Sequence, residues 1–463
     1  MELQKKLIPV DIRTSSRRAE EQKVKGGLAT LFRTRHFFQT YFSGQIISTR
    51  VIFLLLLTLL SSCSSPLNEG FNSVIDEQGC LINPDKARDL LNGKNLNLFI
   101  ETSGSMSGFM SHPGTDFQRD IWSVVEALNS RFSKNMNIME MRSKDEPIYG
   151  LSAEIFREKL NTGGFVSSGS TDIPEMLDSI MAKGTKNTVS ILVSDLIFSP
   201  KGGNAAQLSQ ISTDIKKRFS NSNTTSILYH LESDFYIKNN KVERSPYYIW
   251  IVGENAAARQ VAKIISSSFS TDIDMVDYGS PASRPSYSIL PSSSQVNSAI
   301  QVLCENDKKF YTYGEYTDDA ELMSFYIGID LSDLPGYTRS RAYLMANLRA
   351  EASSARARIL NIETIDKLKH SEDIDLARRS GFTHFMQVEL DGITGNTLLS
   401  INGHKTRPDW LEQVNLDTDD YKRTKTFGFG KMTAGLEAAY ESPGHDQFYE
   451  KPIEIIITKN HKE

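Results

Sequence analysis

Short apolar runs alternate along this chain with stretches in which apolar residues return every three or four positions. Between residues 84 and 270 the alternation is regular. "PDKARDLL" reads as a short helix ended by Gly93, and "LNLFI" (96–100) as a buried strand. "DFQRDIWSVVEALNSRF" puts Ile121, Val124, Val125, Leu128 and Phe132 on one helical face. "TDIPEMLDSIMAKG" has a cap in Thr171 or Asp172, a proline in its first turn and Gly184 past its end. "TVSILVSDL" (188–196) is a second buried strand, and "NAAQLSQISTDIKKRF" a helix. "TSILYHL" and "YYIWIVG" are further apolar runs, and "ENAAARQVAKIISSSF" a last helix. Such alternation predicts an α/β fold, a mostly parallel, Rossmann-like sheet with helices on both faces.

The pattern then changes. Residues 271–305 are rich in Ser and Pro ("YGSPASRPSYSILPSSSQ") and read as a linker. From 306 to 463, "LMSFYIGIDL", "RAYLMANLRAE", "RARILNIETI", "HFMQVEL", "NTLLSING" and "IEIIITK" read as strands, and "FGFGKMTAGLEAAYES" as the one clear helix. A β-rich, sandwich-like second domain is expected. Tyr311, Tyr313, Phe325 and Tyr326 are read as core or cross-strand pairs rather than a binding groove.

The start of the chain has its own pattern. "VIFLLLLTLLSSCSSP" (51–66) is apolar from Val51 to Leu60 apart from Thr58. A bilayer span takes about 20 residues, so this run is short for one and fits the core of a secretory signal preceded by Arg50. Leu60-Ser61-Ser62-Cys63 resembles the lipobox of bacterial lipoproteins. The resemblance implies that Cys63 receives lipid and begins the mature protein, tethered by residues 64–83. The protein would then sit in the cell envelope, lipid-anchored to a membrane on its periplasmic side or at the cell surface. Residues 1–50 exceed an ordinary leader and read as a start codon placed too early, or as a basic cytoplasmic tail.

Charge and cysteine content narrow the picture. Residues 1–50 hold ten Lys or Arg against four acids, although the whole chain of 463 residues has a net charge of −5. The remainder is therefore acidic, which excludes a nucleic-acid footprint. Of three cysteines, Cys80 and Cys304 remain beside Cys63, as a disulfide or as two free thiols. No CxxC pair, P-loop or H-E-x-x-H spacing occurs. "GSMSG" (104–108) fails as a nucleophile elbow because Met106 takes the serine's place, and His112 reads as a surface histidine. Asp417, Asp419 and Asp420 read as a solvated loop before a calcium site.

The candidate chemistry lies where buried strands end. In an open α/β sheet, ligands sit outside the carboxyl ends of the strands. Glu101, Ser103 and Ser105 follow the first strand, Thr171 lies in a later loop, and Asp195 ends "SILVSDL". Individually these residues also fit a turn, a helix cap and an ordinary strand-end acid. Jointly and in this order they resemble the von Willebrand factor type A domain and its metal-ion-dependent adhesion site, over roughly residues 94–255. The family pattern is D-x-S-x-S, then Thr, then Asp. Glu101 stands in place of the first Asp, one methylene longer. The resemblance implies a Mg²⁺ site (or Mn²⁺ or Ca²⁺) of Glu101, Ser103, Ser105, Thr171 and Asp195. Such an ion would take a carboxylate from a protein partner, without catalysis. The alternatives are a metal-dependent hydrolase at the same sheet edge and an envelope scaffold with a degenerate site.

Overall fold

The computed structural model describes residues 91–142, 149–165, 173–183, 187–197, 205–220, 224–297, 300–302, 310–311, 313–316, 322–417, 423–441 and 444–459, with a two-residue strand at Cys80–Leu81. Cys63, Thr171, Cys304, Asp419, Asp420 and the "PDKARDLL" stretch lie outside them, apart from Leu91. Seven strands form the largest sheet: β1 (Asn95–Glu101), β2 (Met136–Met141), β3 (Tyr149–Leu151), β4 (Thr188–Ser194), β5 (Thr225–Ile237), β6 (Asn240–Gly253) and β7 (Asp274–Tyr278). Their order is β3-β2-β1-β4-β6-β5-β7.

Both faces of this sheet are buried, as the unbroken apolar runs require. Leu96, Leu98 and Ile100 of β1 join one core with α1 (Asp116–Phe132), α2 (Ala153–Thr162) and α5 (Asn255–Ser267). Phe99 points the other way, into a core with α3 (Ile173–Lys183) and α4 (Ala205–Phe219). The expected face of α1 is the buried one: Ile121, Val124, Val125, Leu128 and Phe132 all lie in the first core.

The sheet is mixed, not mostly parallel. Only β1–β2 and β1–β4 pair in parallel; the remaining pairings are antiparallel. One cause is a tight hairpin between β5 and β6. Ile237 pairs with Asn240, leaving Lys238 (φ 57°) and Asn239 to reverse the chain. A connection so short joins only antiparallel strands. A fully buried apolar run looks the same in either orientation, so "TSILYHL" and "YYIWIVG" carried no sign of this. The hairpin also runs past its neighbours. Ser194, the last residue of β4, pairs with Tyr248, whereas β5 and β6 continue together to their turn.

Residues 271–305 hold β7 of the large sheet, β8 (Tyr287–Ile289), α6 (Pro291–Asn297) and β9 (Ile300–Val302). The chain continues with β10 (Tyr313–Tyr316), β11 (Leu322–Ile329), α7 (Arg341–Asn347), β12 (Leu348–Ala352), β13 (Arg356–Thr364), α8 (Ser371–Ser380), β14 (His384–Asp391), β15 (Thr397–Gly403), α9 (Phe429–Ala439) and β16 (Ile453–Lys459). A five-stranded sheet, β9-β10-β16-β15-β12, and a four-stranded sheet, β13-β14-β11-β8, enclose one core. Phe325 is part of it, and Tyr326 packs on a smaller cluster beside α8. "RAYLMANLRAE" is split rather than one strand. The Ser340 hydroxyl accepts the Tyr343 N–H at 3.3 Å, and this cap starts α7 before β12 takes over.

The C-terminal half also returns to the first. Trp410, Leu411, Val414, Phe429, Met432 and Leu436 belong to the same core as α3 and α4. Helix α9 lies close to α4 at Gly435, where an added Cβ would stand 2.7 Å from the Ser212 carbonyl oxygen and 2.8 Å from the Ile215 Cβ. Gly435→Val is expected to lower stability by about 1–3 kcal/mol, because the obstructing atoms include rigid helix backbone. Urea unfolding with an unchanged midpoint would show that the two helices are not held this closely.

Candidate functional site

The site begins with strand adjacency. β1 and β4 are parallel neighbours, Ile100 opposite Val193, so their carboxyl ends leave the sheet side by side. Glu101 closes β1 and Asp195 follows β4. Both carboxylates are buried, each residue 1 % exposed, although neither belongs to an apolar core.

The loop after β1 is held from both sides. The Thr102 N–H donates to the Met141 carbonyl (2.9 Å), and the Met106 N–H turns back to the Ser103 carbonyl (3.1 Å). The Ser107 hydroxyl donates to the Gly104 carbonyl at 2.8 Å. Phe109 then anchors the loop among Phe117, Phe235 and Tyr247, at ring-centroid distances of 5.3, 4.9 and 5.7 Å. Gly108 is required here, since a Cβ would overlap the Phe235 ring.

On the β4 side the backbone is strained. Leu196 has φ 50°, a left-handed conformation that costs a branched residue on the order of 1 kcal/mol or more. Its side chain is nevertheless buried in the core under α3 and α4. The turn brings the Ile197 N–H back onto Asp195 Oδ1 (3.1 Å) and the Leu196 N–H onto the Ser194 hydroxyl (2.8 Å).

Four of the five expected metal residues meet. Ser103 donates to Glu101 Oε1. Ser103 Oγ lies 2.9 Å from Ser105 Oγ, and Ser105 Oγ lies 3.1 Å from Asp195 Oδ1. Ser105 is half-buried and gives the cluster its opening to solvent. Thr171, the fifth, lies outside the described residues. Two further residues join that the sequence reading missed. The Ser194 hydroxyl donates to Glu101 Oε2, so both oxygens of that carboxylate accept from serines. Arg423 Nη1 lies 3.4 Å from Asp195 Oδ2, with its guanidinium 5.1 Å from the Phe235 ring centroid. Ser194 was visible in principle as the residue before a strand-end acid, once β1 and β4 are neighbours. Arg423 had no local signal; it is 228 positions from Asp195.

Counting protons exposes an imbalance. The path Glu101–Ser103–Ser105–Asp195 has three oxygen–oxygen contacts, and each needs one positive bridge. Ser103 and Ser105 supply one hydroxyl proton each. The third bridge is a proton on a carboxyl group, or a cation. Burial, reinforced by the negative charge of Glu101, raises the Asp195 carboxyl from 3.8 to about 7, against the pull of Arg423. Asp195 is thus the natural holder of that proton near neutrality.

The donor set is entirely oxygen, as hard divalent cations require. Among the described residues no group of three or more His, Cys, Asp or Glu is placed to hold a metal ion. What the site offers is two carboxylates and three serine hydroxyls, with Ser194 turned to Glu101 Oε2. His112, read as a surface histidine, stacks on Tyr236 of the hairpin with ring centroids 3.9 Å apart. Asp417 accepts a hydrogen bond from its neighbour Asn415 at 3.2 Å. No described helix is long and apolar enough to cross a membrane. Compared with protein families, curated proteins and solved structures, the chain matches none.

Proposed function

We propose that this chain is an envelope lipoprotein anchored through Cys63. Its α/β part, which resembles a von Willebrand factor type A domain, binds a protein partner through a divalent cation. The observation that carries the reading is the path from Glu101 to Asp195, short of one positive bridge. Ser103, Ser105 and Asp195 would hold Mg²⁺ (or Mn²⁺ or Ca²⁺), joined by Thr171. Glu101 would act from behind through Ser103, since both its oxygens already accept hydroxyls. The bound ion supplies a coordination position for a carboxylate of the partner. The chain's own contribution is to orient the hydroxyls, keep water from the carboxylates and give up the proton on Asp195. A second reading, a scaffold with a degenerate site, has one observation in its favour: Arg423 already lies 3.4 Å from Asp195 Oδ2.

Calorimetric titration with Mn²⁺ tests the choice. At pH 6 one ion is expected to bind with release of about one proton, read from buffers of different ionisation enthalpy. The release is expected to fade above pH 8, where Asp195 is already ionised. Asp195→Ala is expected to abolish binding. A wild-type protein that binds no ion at either pH would leave the scaffold reading.

A further inference from the structure

Asp195 has two carboxylate oxygens with different fates. Oδ1 is committed, to the Ser105 hydroxyl and the Ile197 N–H. Oδ2 faces Arg423, whose guanidinium is held between this oxygen and the face of Phe235. The residue is clamped from its own side as well. Three positions on, the Thr426 hydroxyl lies 3.4 Å from the Asp195 carbonyl and 2.9 Å from the Tyr248 hydroxyl. Arg423 also takes a left-handed backbone conformation, φ 59°, which a non-glycine residue adopts at a cost.

Charge balance gives the arrangement its consequence. Arg423 places one positive charge on the carboxylate pair. A divalent ion held by two ionised carboxylates would be neutralised by them alone. The guanidinium would then be a surplus positive charge beside a dication, in a site where burial strengthens repulsion. The oxygen that Arg423 holds, Oδ2, is the one Asp195 has left to offer an ion, because Oδ1 already takes Ser105 and Ile197.

We infer that Arg423 is an internal competitor for the cation position, so that the site alternates between a state closed by the guanidinium and an ion-loaded state from which it is displaced. This rests on the metal-site reading above. Arg423 lies six residues before α9, which packs on the large sheet, so displacement would be felt next to that helix.

Mn²⁺ titration at pH 8 of wild type, Arg423→Ala and Arg423→Met tests the competition. Methionine keeps apolar bulk on Phe235 if the alanine variant loosens locally. Removing the charge is expected to tighten Mn²⁺ binding about tenfold or more in both variants, while Arg423→Lys stays within about threefold of wild type. Binding seen only in the Ala and Met variants would support the inference most strongly. Equal or weaker binding in those variants, with wild type binding, would overturn the competition and leave the metal site standing. Silence in all four proteins would overturn the metal site itself, and the competition with it.

Discussion

Asp277→Ala is expected to destabilise the fold by about 3–5 kcal/mol, the cost of leaving buried charges without their partner. Asp277 lies on β7, and its Oδ2 receives Arg259 Nη2 from α5 at 2.7 Å and Lys405 Nζ at 2.9 Å. The three side chains are 2 %, 6 % and 10 % exposed. Arg259 is further fixed by Asn255 Oδ1 (2.9 Å) and the Ser280 carbonyl (2.9 Å), so it cannot swing out to water cheaply. One carboxylate therefore serves two cations, one on a helix of the large sheet and one on the segment that leaves β15. Burial alone would raise its pKa, but Lys405 and Arg259 outweigh burial and hold the carboxyl far below the ordinary 3.8. A carboxyl depressed in this way stabilises the protein above its unfolded pKa. That contribution is lost as pH falls below about 4. Urea unfolding at pH 7 reads the loss directly. Lys405→Met removes one cation but leaves a balanced pair, and is expected to cost much less. Equal losses from the two variants would mean that charge balance is not what the network supplies.

Asp195→Asn has the opposite sign. The Asp195 carboxyl is raised from 3.8 to about 7, so its contribution to stability is fully present below about pH 4 and disappears as pH rises through 7. The decline is expected between pH 4 and pH 8, in the absence of divalent ions. The asparagine variant is expected to lack this decline and to be more stable than wild type at pH 8, while failing to bind Mn²⁺. A group kept at a cost to stability and needed for binding is what a functional site predicts. Loss of stability at pH 8 in the variant would make Asp195 a structural residue. The two carboxylates leave separate signatures, Asp277 below about pH 4 and Asp195 between about 4 and 8.

Much of the site was readable because its residues lie on short local patterns. Glu101, Ser103 and Ser105 follow one buried strand and Asp195 another, and parallel neighbours end at the same sheet edge. The departures share a physical cause. A buried strand shows neither its direction nor its neighbour in its own composition, which hid the antiparallel hairpin of β5 and β6 and the role of Ser194. Helix α7 was hidden because "RAYLMAN" is apolar enough for either structure, and Ser340 capping decided it. Arg423 has no local signal in the sequence, because its partner lies 228 positions away.

By itself the sequence determined what depends on residues within a turn or two of one another. That includes the face of α1, the burial of β1 and β4 on both sides, the strand-rich second half, and the hydroxyls and acids placed after strand ends. Only the tertiary structure decided what depends on distant residues meeting. It set the order of the sheet, the return of α9 to the core of the first half, the shared carboxylate of Asp277 and the guanidinium on Asp195. These are long-range choices, made when buried surfaces and buried charges must find partners together, and no local pattern of hydrophobic and polar residues records them.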